Sequence, residues 1–275
     1  MIEAVPPGVG VPLFAAMPWL DQLLVVAVAS ARFAFAFVFV PVFSREVMPG
    51  TVRNSIIVTF GLVALQMQPD FHPNDLSAMG WLKMLLKEAA AGGAIGFFFG
   101  TVLWALGAAG EIIDTKVGAT IGQLVDPLSG NTSSLTGILL SRFAEVVFVT
   151  AGGLTLLVGT VMGSYLIWPL GPGGLQLDAR ALMFFEGEFG RLFALAFLFA
   201  APVLTVLYVI DLAMGFLNRF AQSFNVFSMA MPIKAAAATF VVILTLPLLA
   251  QAILADLGTR EEIAGGVLQR TAKPR

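Results

Sequence analysis

Several stretches of this chain are too apolar and too long to fold around a water-facing surface. Leu23–Phe43, Ala89–Ala109, Arg191–Leu217 and Ile233–Leu254 each reach the length, about 20 residues, that carries an α-helix across a bilayer. Leu135–Pro169 is longer than one ordinary crossing needs, and Gly152–Gly153 in its middle offers the bend of a tight hairpin. Asn54–Met67 is apolar but short, which suits a partial span or a helix buried among protein partners. Composition agrees. The 275 residues are 58% hydrophobic and 12% charged, with mean hydropathy +0.92. A soluble domain carries about twice that charge. The fold class is therefore all-α: a polytopic integral membrane protein built of helical hairpins.

The same inventory excludes much. A net charge of −2 gives no footprint for nucleic acid. With no cysteine there are no disulfides, thiolate nucleophiles or thiolate metal sites, and a single histidine, His72, is too few for most zinc sites. Enzyme readings fail as well. "MGSYLIW", Met162–Trp168, places a serine on an apolar span, but His72 sits in a Pro/Asp-rich loop rather than on a span where a base is needed. Asp211 in "YVID" lacks a second aspartate to form a dyad, and no phosphate-binding loop is present. No catalytic residue, metal or cofactor is expected.

The chain reads as a Pro-rich lead over 1–22, one helical membrane domain over 23–255, and a charged tail over 256–275 that is expected to be mobile. The lead has no basic start and does not look like a cleavable signal peptide. Arg260, Arg270, Lys273 and Arg275 favour a cytoplasmic C-terminus, but Arg45 and Arg53 flank another loop and leave the topology open.

Two polar segments interrupt the apolar runs. "GFLNRFAQSFNVFSMAMPIK", Gly215–Lys234, read as one helix, aligns Phe216, Phe220, Phe224, Phe227 and Met231 on one stripe. Asn218, Gln222 and Asn225 form a second stripe, with Arg219 and Ser223 beside it; Pro232 then ends that helix or starts the next, just before Lys234. This is either an interfacial loop helix or a surface that docks on a partner or lines a wet cavity. The other segment is a polar linker over 110–134, with Glu111, Asp114, Lys116, Gln123 and Asp126. Gly118 and Gly122 permit close helix approach, and Asp126-Pro127-Leu128-Ser129-Gly130 is a turn. It is either a plain loop or a plug that faces a pore.

Four charges fall inside apolar spans: Arg32, Arg142, Glu145 and Asp211. Such residues face a bundle interior, pair, or mark a conduction path. Arg142 and Glu145 are three apart and are expected to pair locally; Asp211 is too far from Arg219 to pair with it. Gly92, Gly96, Gly100 and Gly107 line a close-packing face, used either within the chain or against another subunit.

Gly215–Lys234 resembles the signature of the T component of type III secretion export gates, and "DPLSGNTSSLTGILLSRFAEVVFVTAGGLTLLVGTVMGSYLIWPLG" resembles the middle of the same family. The resemblance covers about Leu23 to Leu254 and extends to the R component of the flagellar gate, although the Asn-Arg…Asn-Val-Phe…Met-Pro-Ile-Lys pattern lies nearer the injectisome branch. One departure is Gly153, where relatives often have histidine. The resemblance implies a non-catalytic gate subunit of the bacterial inner membrane. Its partners would be the R, S and U components (SctR, SctS and SctU), the export-gate ring protein SctV, unfolded substrates in transit, and lipid. Its assembled core would project toward the periplasm. It also implies a plug near Gly110–Leu124, with Glu111, Asp114 and Lys116 facing the channel or locking it closed. Asn218, Arg219, Gln222, Asn225, Phe227, Pro232 and Lys234 would meet partners or the channel. A small-solute transporter is the competing class, but no matched inverted halves are found. A pure assembly factor is a third.

Overall fold

A computed structural model describes residues 19–68, 77–118, 134–171, 179–220 and 226–272. Among them the secondary structure is helical: α1 Trp19–Phe39, α2 Gly50–Gln66, α3 Ala78–Val117, α4 Leu135–Thr150, α5 Gly153–Ile167, α6 Ala179–Phe220 and α7 Val226–Ala272, with a short 3-10 turn at Pro41–Phe43. Among the described residues four helices are long and apolar enough to cross a membrane, within Gln22–Phe39, Ala78–Val117, Phe185–Phe220 and Met229–Ile263; α4 and α5, bent by 69° at the break between them, meet the same test only as a pair, as a broken span or a re-entrant loop. The all-α, multi-pass class read from the sequence is the one observed.

Boundaries moved where the chain's own stops outweigh hydropathy. α1 ends at Phe39 because Pro41 cannot continue it. α3 does not stop where the polar linker was expected to open at Gly110. It runs 40 residues to Val117, about 60 Å, and is closed by Gly118, whose φ of +101° is a conformation that suits only glycine. The break between α4 and α5 falls at the expected place. Gly152 there has φ +84°, and Gly153 leaves no room for a side chain, since a Cβ would lie 2.6 Å from the Phe148 ring.

Two readings are corrected outright. Gly215–Lys234 is not one helix: α6 ends at Phe220 and α7 opens at Val226, with 221–225 outside the described residues. Contacts between α6 and α7 pair 188 with 260, 191 with 256 and 211 with 234. As one number rises the other falls, so the two helices are an antiparallel hairpin, and the described parts of the polar signature, 215–220 and 226–234, lie at its tip end. Pro232 neither ends nor starts a helix but lies inside α7. The tail is corrected too. α7 continues through 256–272, and Asp256, Leu257 and Arg260 are buried. Arg260 is thus unavailable as a free loop charge for setting topology.

The chain divides into two compact units. The first holds residues up to Phe99, Thr155–Ala181 and Glu262 onward; the second holds Gly100–Leu154 and Leu182–Glu261. In the first, α1 and α2 form an antiparallel hairpin: Phe33 stacks on Phe60, and Ser30 abuts Gly61. The start of α3 runs alongside α1 at backbone contact. A Cβ on Gly92 or Gly96 would fall 2.1 and 2.2 Å from the carbonyl oxygens of Arg32 and Ala36. In the second, Gly110 meets the backbone of Gly137 and Gly107 meets Ser141, packing the end of α3 against α4. The glycine face of α3 is therefore used within the chain, the usual role of small residues where membrane helices approach closely.

Candidate functional site

Three polar assemblies stand out from the apolar packing, and one of them joins the two polar segments. Lys116, on the last turn of α3, places Nζ 2.8 Å from Asp211 Oδ2 of α6 and 4.0 Å from the centre of the Tyr208 ring. Lys234 of α7 pairs with the other carboxylate oxygen, Asp211 Oδ1. Each of the three side chains is partly open, 27% exposed for Lys116, 31% for Asp211 and 16% for Lys234. A single carboxylate thus holds three helix segments together at the hairpin tip. The ammonium of Lys116 also suits the negative end of α3's dipole.

Beside it, Asp114 closes the base of the polar linker. Its carboxylate accepts hydrogen bonds from Ser134 Oγ at 2.7 Å, from the Thr136 backbone N–H at 2.9 Å and from the Thr136 hydroxyl. Ser134 in turn caps α4 by accepting from the Gly137 N–H at 2.8 Å. A carboxylate against the first turn of a helix satisfies donors that have no partner within it. Thr115 and Lys116 are helical, and Glu111 is exposed one turn before Thr115. Gly122, Asp126, Pro127 and Gly130 lie outside the described residues, as do Gln222 and Asn225. Asn218 and Arg219 are exposed on the last turn of α6, and Phe227 is on the first turn of α7. Arg142 and Glu145 form the expected local pair at 2.9 Å.

The second assembly is closed. Arg32 and Glu88 have side chains 0% exposed and meet through two bonds, Nε to Oε2 at 2.7 Å and Nη2 to Oε1 at 3.0 Å. Arg32 also donates to Ser164 Oγ at 2.9 Å and to the Trp168 carbonyl at 2.8 Å, and its guanidinium lies 3.8 Å from the Tyr165 ring centre. Lys87 donates to the carbonyls of Pro169 and Gly171, and the Tyr165 hydroxyl donates to the Ala29 carbonyl. Arg32 was singled out in the sequence; Glu88 was not. The signal was present, because Glu88 precedes Gly92 and Gly96 by one and two turns and so shares their close-packing face.

The third assembly pins the far end of the α6–α7 hairpin. Arg260 bonds Asp256 at 3.1 Å and Glu188 at 3.2 Å, and Arg191 pairs with Asp256 and lies 3.5 Å from Glu188. Two carboxylates and two guanidiniums balance one another, and Glu188, Asp256 and Arg260 are buried. The spacing of Asp256 and Arg260, four apart with the acid first, marked a continuing helix.

These features define a multi-pass helical membrane protein stitched together by interhelical ion pairs. Comparison with known proteins then places it. The sequence profile of the bacterial export proteins, family 1, matches residues 23–259, and the chain belongs to that family. It is 30% identical over 223 residues to the Yop proteins translocation protein T of Yersinia pestis, covering 81% of this chain and 85% of that one. It is 29% identical over 230 residues to the secretion system apparatus protein SsaT of Salmonella typhimurium (82% and 88%). It is 24% identical over 212 residues to the flagellar biosynthetic protein FliR of Escherichia coli (76% and 79%). The chain is a component of a bacterial protein-export apparatus.

Proposed function

We propose that this chain is the T component of a type III secretion export gate in the inner membrane. With the R and S components it forms the channel through which unfolded substrates pass, and the part of the polar segment 110–134 that follows α3 serves as its plug. The observation that carries this reading is the Lys116–Asp211–Lys234 joint. It fastens the last turn of α3, from which the polar segment departs, to the tip of the α6–α7 hairpin. The end of α3 so held is suited to keep one position and to be released by modest force, because the ion pairs that hold it are partly solvated.

Assembly with other subunits is supported by apolar surface beyond the charged joint. Leu212, Phe216, Leu217 and Phe220 are exposed on α6 past Asp211, on a stretch that also carries Arg219. Large apolar groups exposed together mark a contact surface, and a hetero-oligomeric export assembly provides the partner.

The test is ion conductance of the chain assembled with its R and S partners. Deleting Thr115–Gly122 removes the Lys116 anchor and the start of the linker, and the expected result is a constitutive leak. Unchanged conductance in an assembled complex would remove the plug from this reading.

A further inference from the structure

The two ion-pair assemblies on the α6–α7 hairpin are separated by a distance that has a physical meaning. On α6, Arg191 belongs to one and Asp211 to the other; on α7, Asp256 and Lys234 do the same. The separations are 20 and 22 residues, by subtraction of those numbers, which correspond to about 30 and 33 Å of helix. Between them, residues 192–210 and 235–255 carry no Asp, Glu, Lys, Arg or His. Both helices thus change from charged to uncharged at the same two levels, and the interval equals the hydrocarbon thickness of a bilayer.

From this we infer that the hairpin carries a lipid-facing band bounded by two ionic clips, which set its depth in the bilayer. The partner of this surface is acyl chain. Phe193, Phe197 and Leu198 of α6 and Phe240, Ile243 and Leu244 of α7 are exposed within the band. Each clip pairs charges across the two helices, with Lys116 of α3 added at the tip, so the charges that bound the band are held in ion pairs. Tyr208 is exposed one turn before Asp211, at the level where interfacial aromatics collect. Pro202 and Pro247 lie inside the helices and inside the band, a placement tolerated in membrane helices and costly in soluble ones. The band is shorter than the apolar helices that contain it. Leu212, Phe216 and Phe220 lie beyond the tip clip and are exposed, so they fall outside the hydrocarbon and are left for protein.

The chain has no cysteine, so single-cysteine variants report cleanly. Full-length Phe197→Cys, Ile243→Cys and Phe216→Cys would be spin-labelled and reconstituted alone into phosphatidylethanolamine/phosphatidylglycerol vesicles. Collision with lipid-soluble oxygen would be compared with collision with a water-soluble nickel chelate. The expected result is an oxygen-to-nickel ratio several-fold higher at 197 and 243 than at 216. Shielding of 197 and 243 from both reagents would assign the band to protein contact and overturn the inference. So would nickel access at 197 or 243, or a ratio at 216 equal to theirs. The readings at 197 and 243 come from separate helices, so one perturbed variant does not decide the outcome. No export partner is present, so failure of the proposed gate function would leave the result standing.

Discussion

The Arg32–Glu88 pair and the Lys116–Asp211–Lys234 joint are both interhelical ion clusters in apolar surroundings, and they differ in one respect that decides what each can do. Arg32 and Glu88 are sealed from solvent and doubly bonded, and their remaining capacity is taken by Ser164, the Trp168 carbonyl and the Tyr165 ring. Nothing in that cluster can leave without exposing a buried charge. The Asp211 joint is partly open, and its carboxylate has two cations, so losing one leaves it still paired with the other. The first is a fixed rivet and the second a joint that can be remade. Burial separates them, since removing one partner of a sealed pair leaves an uncompensated ion, whereas water compensates an exposed one.

The largest effect is expected at the sealed pair. Arg32→Ala or Glu88→Ala is predicted to lower stability by about 3–5 kcal/mol, read as loss of the folded chain in detergent by thermal unfolding. The double variant Arg32→Met with Glu88→Leu should recover much of that loss. If the single variants are as stable as the parent, the rivet is not one. Next is the helix contact beneath it. Gly96→Leu must push α3 away from the Ala36 carbonyl, with an expected cost of about 1–3 kcal/mol from overpacking. A melting temperature equal to the parent's would show that the contact is slack.

Smaller still is the α4 cap. Ser134→Ala removes the acceptor for the Gly137 N–H and is predicted to cost about 1 kcal/mol; faster amide exchange at the start of α4 is the readout. The smallest stability effect is expected at the joint. Asp211→Asn should change stability by less than about 1 kcal/mol because the site is partly solvated, yet raise ion leak through the assembled gate. A stability loss at Asp211→Asn as large as that of Glu88→Ala would erase the distinction between the two clusters.

Much of this arrangement was legible in the sequence. Apolar run length gave the membrane helices, and Gly152–Gly153 gave the break between α4 and α5, because only glycine takes a positive φ without strain. The spacing of Arg142 and Glu145 gave their pairing. What was not legible depended on long-range packing. Hydropathy marks where polarity begins, not where a helix ends, so α3 ran past Gly110 and α7 past Asp256. A 3.6-residue stripe through Phe216, Phe220, Phe224, Phe227 and Met231 suggested one helix, but periodicity does not register where one helix ends and an antiparallel one begins. The partners of Arg32 and Asp211 lie 56 residues away for Glu88 and 95 and 23 for Lys116 and Lys234, by subtraction of their numbers. One sequence records the charges but not which helix each will face.

A chain that works as one subunit of a mixed export gate should assemble with the others, and native mass spectrometry of the chain, purified in mild detergent with and without co-expressed R and S candidates, reads that assembly. The expected result is a defined hetero-oligomer in which few copies of this chain join many copies of its partners. A monomer or homodimer unchanged by their presence would contradict it.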